Sequence, residues 1–332
     1  MAGRIYARKT VVMQPFDGVA IQTEGLGKSF GHVQALKSLD LAVPRNSIFG
    51  FLGPNGAGKT TTMKLLLGLI HPGSGGGTIW GQDIVRDSIA IRSRVGYLPQ
   101  QPRFIDGMTG RETLDFTARF FFAGPEGRIE ARIEEMLELV GLSDKADRPV
   151  KGFSGGERQR LGLALAQIND PDLLILDEPA AALDPIGRQD VLAVMERLRE
   201  HATIFYSTHI LDDVQQVSDT VAILNRGELV AQGPVEQLLN GSDKVVYQVV
   251  MEGDTGSARA RVAGQPWVAG IDETQRDGAT AWQVSVTDEQ AAKAQLLRLV
   301  LSDGQIVVTE FSRKTYELEE VFMNIVKEEA HG

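Results

Sequence analysis

The stretch "SIFGFLGPNGAGKTTTMKLLLGLI", Ser47 to Ile70, runs from a short apolar segment through a glycine-rich loop into a helical pattern. Its centre, "GPNGAGKTT", is Gly53, Pro54, Asn55, Gly56, Ala57, Gly58, Lys59, Thr60 and Thr61. It satisfies G-x-x-x-x-G-K-[ST] in the setting that pattern needs, a strand before it and a helix after it. Glycines let such a loop wrap its backbone amides around the β- and γ-phosphates of a nucleotide, helped by the positive end of the following helix. Lys59 adds a point charge to those phosphates, and the Thr60 hydroxyl is placed to ligate Mg²⁺.

Farther along, "LLILDEP", Leu173 to Pro179, is a continuous apolar run of the kind that parallel strands show when both faces are buried. It ends in two carboxylates. Asp177 is placed to hold Mg²⁺ through water, and Glu178 to face the γ-phosphate and orient or deprotonate a water molecule. "ATIFYSTH", Ala202 to His209, is a second run of the same type. Between the glycine loop and these strands the pattern turns helical, in "TGRETLDFTARFFF" and "EGRIEARIEEMLELVGL", the latter with apolar residues at three- and four-residue spacing. "FSGGERQ", Phe153 to Gln159, then has a hydroxyl, two glycines and a helix start, with Ser154 and Glu157 at capping-box spacing.

With 332 residues, 42% of them hydrophobic and 23% charged, the chain has globular composition and exceeds what one core usually organises, so two domains are expected. A formal charge of −10 argues against nucleic acid as the main partner, because phosphate backbones are bound by basic surfaces. There is no cysteine, which excludes disulfides, thiolate metal sites and thiol nucleophiles. No apolar run reaches the length of a membrane span, and residues 1–18 read as a mildly basic tail carrying Arg4, Arg8 and Lys9. A soluble protein is expected.

In these motifs the chain resembles the nucleotide-binding subunit of an ATP-binding cassette (ABC) transporter, and the resemblance runs over residues 19–240, with a helical insertion at about 101–168. "FSGGERQR" narrows the match from NTPases in general to this family. The resemblance implies an α/β fold: a P-loop NTPase core of mainly parallel sheet, with an antiparallel β-subdomain and the helical insertion. It implies that Gln100, in "YLPQQ", senses Mg²⁺ and the attacking water. Asp184, closing "AALD", would belong to a loop that crosses between subunits, and His209 would contact the γ-phosphate. Phe30, in "KSFG", would stack on adenine. Ser154, Gly155, Gly156 and Glu157 would meet the ATP held by a second ATPase subunit in a head-to-tail homodimer. ATP and Mg²⁺ are the implied cofactors. An integral-membrane transporter subunit is the implied partner, with the chain at the cytoplasmic face of the cell membrane.

Two departures stand out: Glu157 where the family's best-known form has Gln, and Ala180 and Ala181 where Thr and Ser are commoner. Residues 241–332 read as strand, helix, strand, strand, helix, strand, the β-α-β-β-α-β order of a ferredoxin-like α+β domain. A last amphipathic helix is expected in "YELEEVFMNIVKEE". That ending resembles the close of ATPases serving drug, antibiotic and polysaccharide exporters, which makes export the expected direction. An importer ATPase and a soluble ABC-type ATPase acting on translation or DNA are the alternatives.

Overall fold

The computed structural model describes residues 18–123, 126–181, 183–239, 245–276 and 279–313. The N-terminal tail, the boundary near residues 240–243 and the expected last helix at residues 316–329 lie outside the described residues. The chain divides into two compact units, one running through Val235 and the other beginning at Glu236.

The first unit opens with antiparallel strands: β1 (Val19–Phe30), β2 (Val33–Leu39) and β3 (Ala42–Pro44). Sequence periodicity reads "LKSLDLAV" as one strand, but the structure breaks it at Asp40. The cause is Thr23 on β1, whose hydroxyl donates to Leu39 O at 2.8 Å and accepts from Leu41 N at 2.9 Å, while Asp40 turns to accept from Gly25 N at 2.6 Å. Strand β4 (Ile48–Leu52) follows, then α1 (Lys59–Leu66), β5 (Ser74–Ile79), β6 (Gln82–Asp83), α2 (Ser88–Arg92) and β7 (Val95–Leu98). The helical insertion carries α3 (Gly110–Ala118), α4 (Glu126–Leu139) and α5 (Gly155–Gln167). The chain then returns through β8 (Leu173–Asp177), α6 (Pro185–Leu198), β9 (Thr203–Thr208), α7 (Leu211–Val217), β10 (Thr220–Asn225) and β11 (Glu228–Pro234).

Strands β10, β4, β9, β8 and β7 lie side by side and are mutually parallel. Their apolar runs are buried on both faces. On β8, Leu174 and Leu176 join one core cluster, with α4, α5 and α6, while Leu173 and Ile175 join another, with α1 and the antiparallel strands. Because the strands are parallel, their carboxyl ends share one edge, where the loops of an open α/β sheet converge on a ligand.

The second unit begins with α8 (Val235–Leu239) at its boundary. It continues with β12 (Val245–Glu252), α9 (Gly256–Ala263), β13 (Val268–Arg276), β14 (Ala279–Val286), α10 (Glu289–Val300) and β15 (Val307–Arg313). Its antiparallel sheet has the order β13-β14-β12-β15. Alternate residues Tyr247, Val249 and Met251 of β12 and Trp282, Val284 and Val286 of β14 bury one face against Ala258 and Val262 of α9 and Ala292, Leu296 and Val300 of α10. The β-α-β-β-α-β order expected from the sequence is the one observed.

Candidate nucleotide-hydrolysis site

The glycine loop joins β4 to α1, and two of its glycines are demanded by the fold. Gly58 caps α1 at φ 113°, where a Cβ would lie 2.6 Å from Ala35 O; at Gly53 a Cβ would lie 2.3 Å from Leu224 O. Side chains carrying a Cβ are disfavoured at such a φ. The Lys59 side chain folds back over the loop, donating to Gly53 O at 2.6 Å and Pro54 O at 3.2 Å. Its ammonium therefore sits inside the loop that the sequence assigns to phosphate.

Three neighbouring strand ends complete the site. At the end of β8, Asp177 accepts from the Thr60 hydroxyl at 2.8 Å and from the Ser207 hydroxyl at 2.7 Å. Next to it Glu178 adopts φ 50°, an uncommon conformation for a side chain of this kind, and its amide donates to Ser207 Oγ at 2.9 Å. The Glu178 carboxylate is the meeting point. Oε1 lies 3.3 Å from Lys59 Nζ, while Oε2 accepts from Gln100 Nε2 at 3.2 Å and lies 3.4 Å from His209 Nδ1. Gln100 follows β7 and His209 follows β9, so residues distant in sequence meet because β7, β8, β9 and β4 are adjacent.

Ser207 was not singled out by sequence reasoning, although it stands in the "YSTH" run. It holds Asp177 by one bond and the Glu178 backbone by another, which orients both carboxylates. The donor set facing Thr60 is oxygen only, as Mg²⁺ requires, and among the described residues no group of three His, Cys, Asp or Glu is gathered. A divalent cation held here would take most of its ligands from phosphate and water.

The other predicted residues lie elsewhere. Phe30, at the end of β1, is half exposed and has Lys28 Nζ 5.3 Å from its ring centroid. Ser154 caps α5 in a full capping box with Glu157. Glu157 does not present its charge outward: it is buried, accepts from Ser154 N at 2.8 Å and from Lys145 Nζ at 2.5 Å. Burial pushes its carboxyl up, but the Lys145 and Ser154 bonds outweigh this and hold it below its ordinary value of 4.5. Gly155 and Gly156 stand beside the start of α6. A Cβ on Gly155 would meet Leu183 at 3.7 Å and one on Gly156 would meet Gly187 at 3.6 Å, both ordinary contacts. Asp184 caps α6, accepting from Gly187 N at 3.3 Å. Ala180 packs into the core, whereas Ala181 is half-buried and outside it.

A glycine loop closed over a lysine, with a strand-end Asp and Glu beside it, makes the first unit a P-loop NTPase. The chain belongs, more narrowly, to the ABC transporter ATP-binding proteins. The ABC transporter family model matches residues 36–181. An uncharacterized ABC transporter ATP-binding protein of Bacillus subtilis (strain 168), YxlF, is 37% identical over 92% of this chain and 99% of its own length. A daunorubicin resistance ATP-binding protein of Streptomyces coeruleorubidus, DrrA3, is 34% identical over 92% of this chain and 95% of its own. Among solved structures, cbiO1 from Clostridium perfringens, part of the ABC transporter complex cbiONQ, superposes with a TM-score of 0.62 at 26% identity, covering 67% of this chain and 91% of that one. The chain is thus an ATP-binding, ATP-hydrolysing subunit of the kind that works with membrane subunits. No described helix is long and apolar enough to cross a membrane.

Proposed function

We propose that the chain binds MgATP at composite sites in a head-to-tail homodimer and drives export through a separate membrane subunit at the cytoplasmic face of the membrane. The observation that carries the catalytic part is the convergence of Lys59, Gln100 and His209 on the Glu178 carboxylate. Glu178 orients and deprotonates the attacking water, Gln100 and His209 fix its carboxylate and the γ-phosphate end, and Lys59 and the loop amides cradle the β- and γ-phosphates. The Thr60 hydroxyl and Asp177 would hold the Mg²⁺ that accompanies the nucleotide, which would supply positive charge against the phosphates.

The composite arrangement is supported by Gly155 and Gly156. Neither has a positive φ, and neither would clash within the chain if it carried a Cβ. The fold of one subunit does not require them to be glycine, whereas close approach of a phosphate to the α5 amides does. Export is favoured by the relative named for daunorubicin resistance, because a transporter that carries a drug out of the cell protects the cell from it. An exposed apolar cluster suits the membrane partner: Phe116, Phe120 and Phe121 of the helical insertion are 52%, 73% and 47% exposed, and the first two rings pack edge to face. The second unit is an accessory domain, outside every nucleotide motif.

Mixing variants tests this reading. Lys59→Ala breaks the glycine-loop half of a site, and Gly156→Asp breaks the α5 half by placing a carboxylate against phosphate. Each alone should be inactive, and a mixture should regain part of the ATPase activity through dimers with one intact site. The chain has no cysteine, so Ser154→Cys with Asn55→Cys reports the geometry directly. ATP-dependent crosslinks between chains are expected, and crosslinks confined within one chain would overturn the composite site.

A further inference from the structure

Arg188 and Asp213 belong to no motif, yet they join two of the site's loops. Arg188 lies one turn into α6, its amide bonded to Asp184 O at 2.9 Å. Its side chain crosses to α7, where Nε donates to Asp213 Oδ1 and Nη2 lies 3.8 Å from Asp212. Asp213 is 1% exposed. Its second oxygen accepts from the Thr208 hydroxyl at 3.4 Å, and that hydroxyl in turn accepts from Ile210 N at 3.0 Å. Thr208 and Ile210 flank His209, so this one hydroxyl bridges the turn that carries the imidazole lying 3.4 Å from Glu178. Burial pushes the Asp213 carboxyl up, against the pull of Arg188, and a carboxylate so enclosed keeps its place only while its partners do.

We infer that Arg188, Asp213 and Thr208 are positioning residues forming a strut from the Asp184 loop to His209, so that the aim of His209 depends on where the first turn of α6 stands. The inference rests on the proposed roles of Asp184 at the second subunit and of His209 at the γ-phosphate. Under it, docking of the second subunit on Asp184 is relayed through α6, Arg188 and Asp213 to Thr208, and dimer closure fixes the aim toward Glu178 that His209 already has in the single subunit. No covalent step is involved. The strut distinguishes itself from simple packing because it acts on the aim of one side chain and not on the fold or on nucleotide binding.

The test uses the full-length chain and reads ATP affinity, kcat, the Hill coefficient for ATP and the melting temperature together. Thr208→Val removes the hydroxyl at nearly constant volume and keeps both charges of the buried ion pair, at the loss of one hydrogen bond to Asp213, which makes it the mildest variant. It should lower kcat about tenfold or more, the scale of a slightly misplaced group, with ATP affinity within about twofold and a Hill coefficient falling toward one. Thr208→Ser restores the hydroxyl and should restore kcat. Arg188→Lys, which keeps the charge and loses the planar fork, should fall between the two. His209→Ala separates this inference from the reading beneath it. If His209→Ala is inactive while Thr208→Val turns over at the wild-type rate and cooperativity, the strut is wrong and the role of His209 stands. A fully active His209→Ala overturns both. Equal losses of affinity, kcat and melting temperature in Thr208→Val, unrescued by serine, would reduce the strut to packing and overturn it.

Discussion

Glu178 Oε1 lies 3.3 Å from Lys59 Nζ, and both side chains are nearly buried, at 7% and 5% exposure. The proposed base and the proposed phosphate clamp therefore hold each other. A nucleotide must compete with Glu178 for the ammonium, since phosphate oxygens seek the same three N–H donors. The ion pair keeps two buried charges compensated, and breaking such a pair by removing one partner is costly.

Glu178→Gln is expected to separate binding from chemistry. The amide keeps the shape of the side chain but ends the water activation and, having no charge, weakens the competition for Lys59. Turnover should fall by about 10²-fold or more, the scale of a lost general base, while ATP affinity holds or improves. Phosphate release and nucleotide titration measured on the same preparation check this; turnover near the wild-type rate would remove Glu178 from its role.

Two glycine substitutions should behave in opposite ways. Gly53→Ala puts a methyl 2.3 Å from Leu224 O, so the loop must shift, and both melting temperature and ATP binding should drop. Gly156→Ala meets only ordinary contacts. It should leave melting temperature and ATP binding of one subunit unchanged and yet slow turnover, because in the proposed composite site the added methyl stands in the path of the partner's phosphate.

Glu157 should give a pH-dependent contribution. Its folded carboxyl lies below the ordinary value of 4.5, so its ionised form is favoured by folding. That stabilisation is present above the ordinary value and is lost as pH falls through the lower folded value. Glu157→Gln keeps the capping geometry but loses the charge that Lys145 meets, so it should lower the melting temperature by about 2–4 °C at pH 7, corresponding to about 1 kcal/mol for a hydrogen-bonded pair. The gap should close on acidification below 4.5. Thermal melts across that range decide, and a gap that persists in acid would show that charge is not its source.

A chain ending near Asn240 should stay folded and bind ATP. Among the described residues, the two clusters that form the core of the first unit, with the side chains packed on them, reach no farther than Leu229, and the third, with those packed on it, begins at Val245. A cooperative melt and retained nucleotide affinity are expected; insoluble protein would mean that the second unit completes the first core.

What could be read from the sequence was local in the chain. The glycine loop binds through consecutive amides and the next helix, so Gly53 to Thr61 carried its whole chemistry in one stretch. The Ser154 and Glu157 capping box spans three residues and was likewise legible, as was the β-α-β-β-α-β order of the second unit. Tertiary structure decided whatever depended on which strands are neighbours. Gln100 reaches Glu178 across 78 positions and Ser207 reaches Asp177 across 30, because parallel strands bring distant carboxyl ends to one edge. It also decided burial. The charge of Glu157 turned out to be compensated by Lys145, the Phe116 and Phe120 rings lay exposed where apolar residues are more often core, and the hydroxyl of Thr23 split one apparent strand into two. Each of these depends on a partner brought from elsewhere in the fold, which no spacing along the chain encodes.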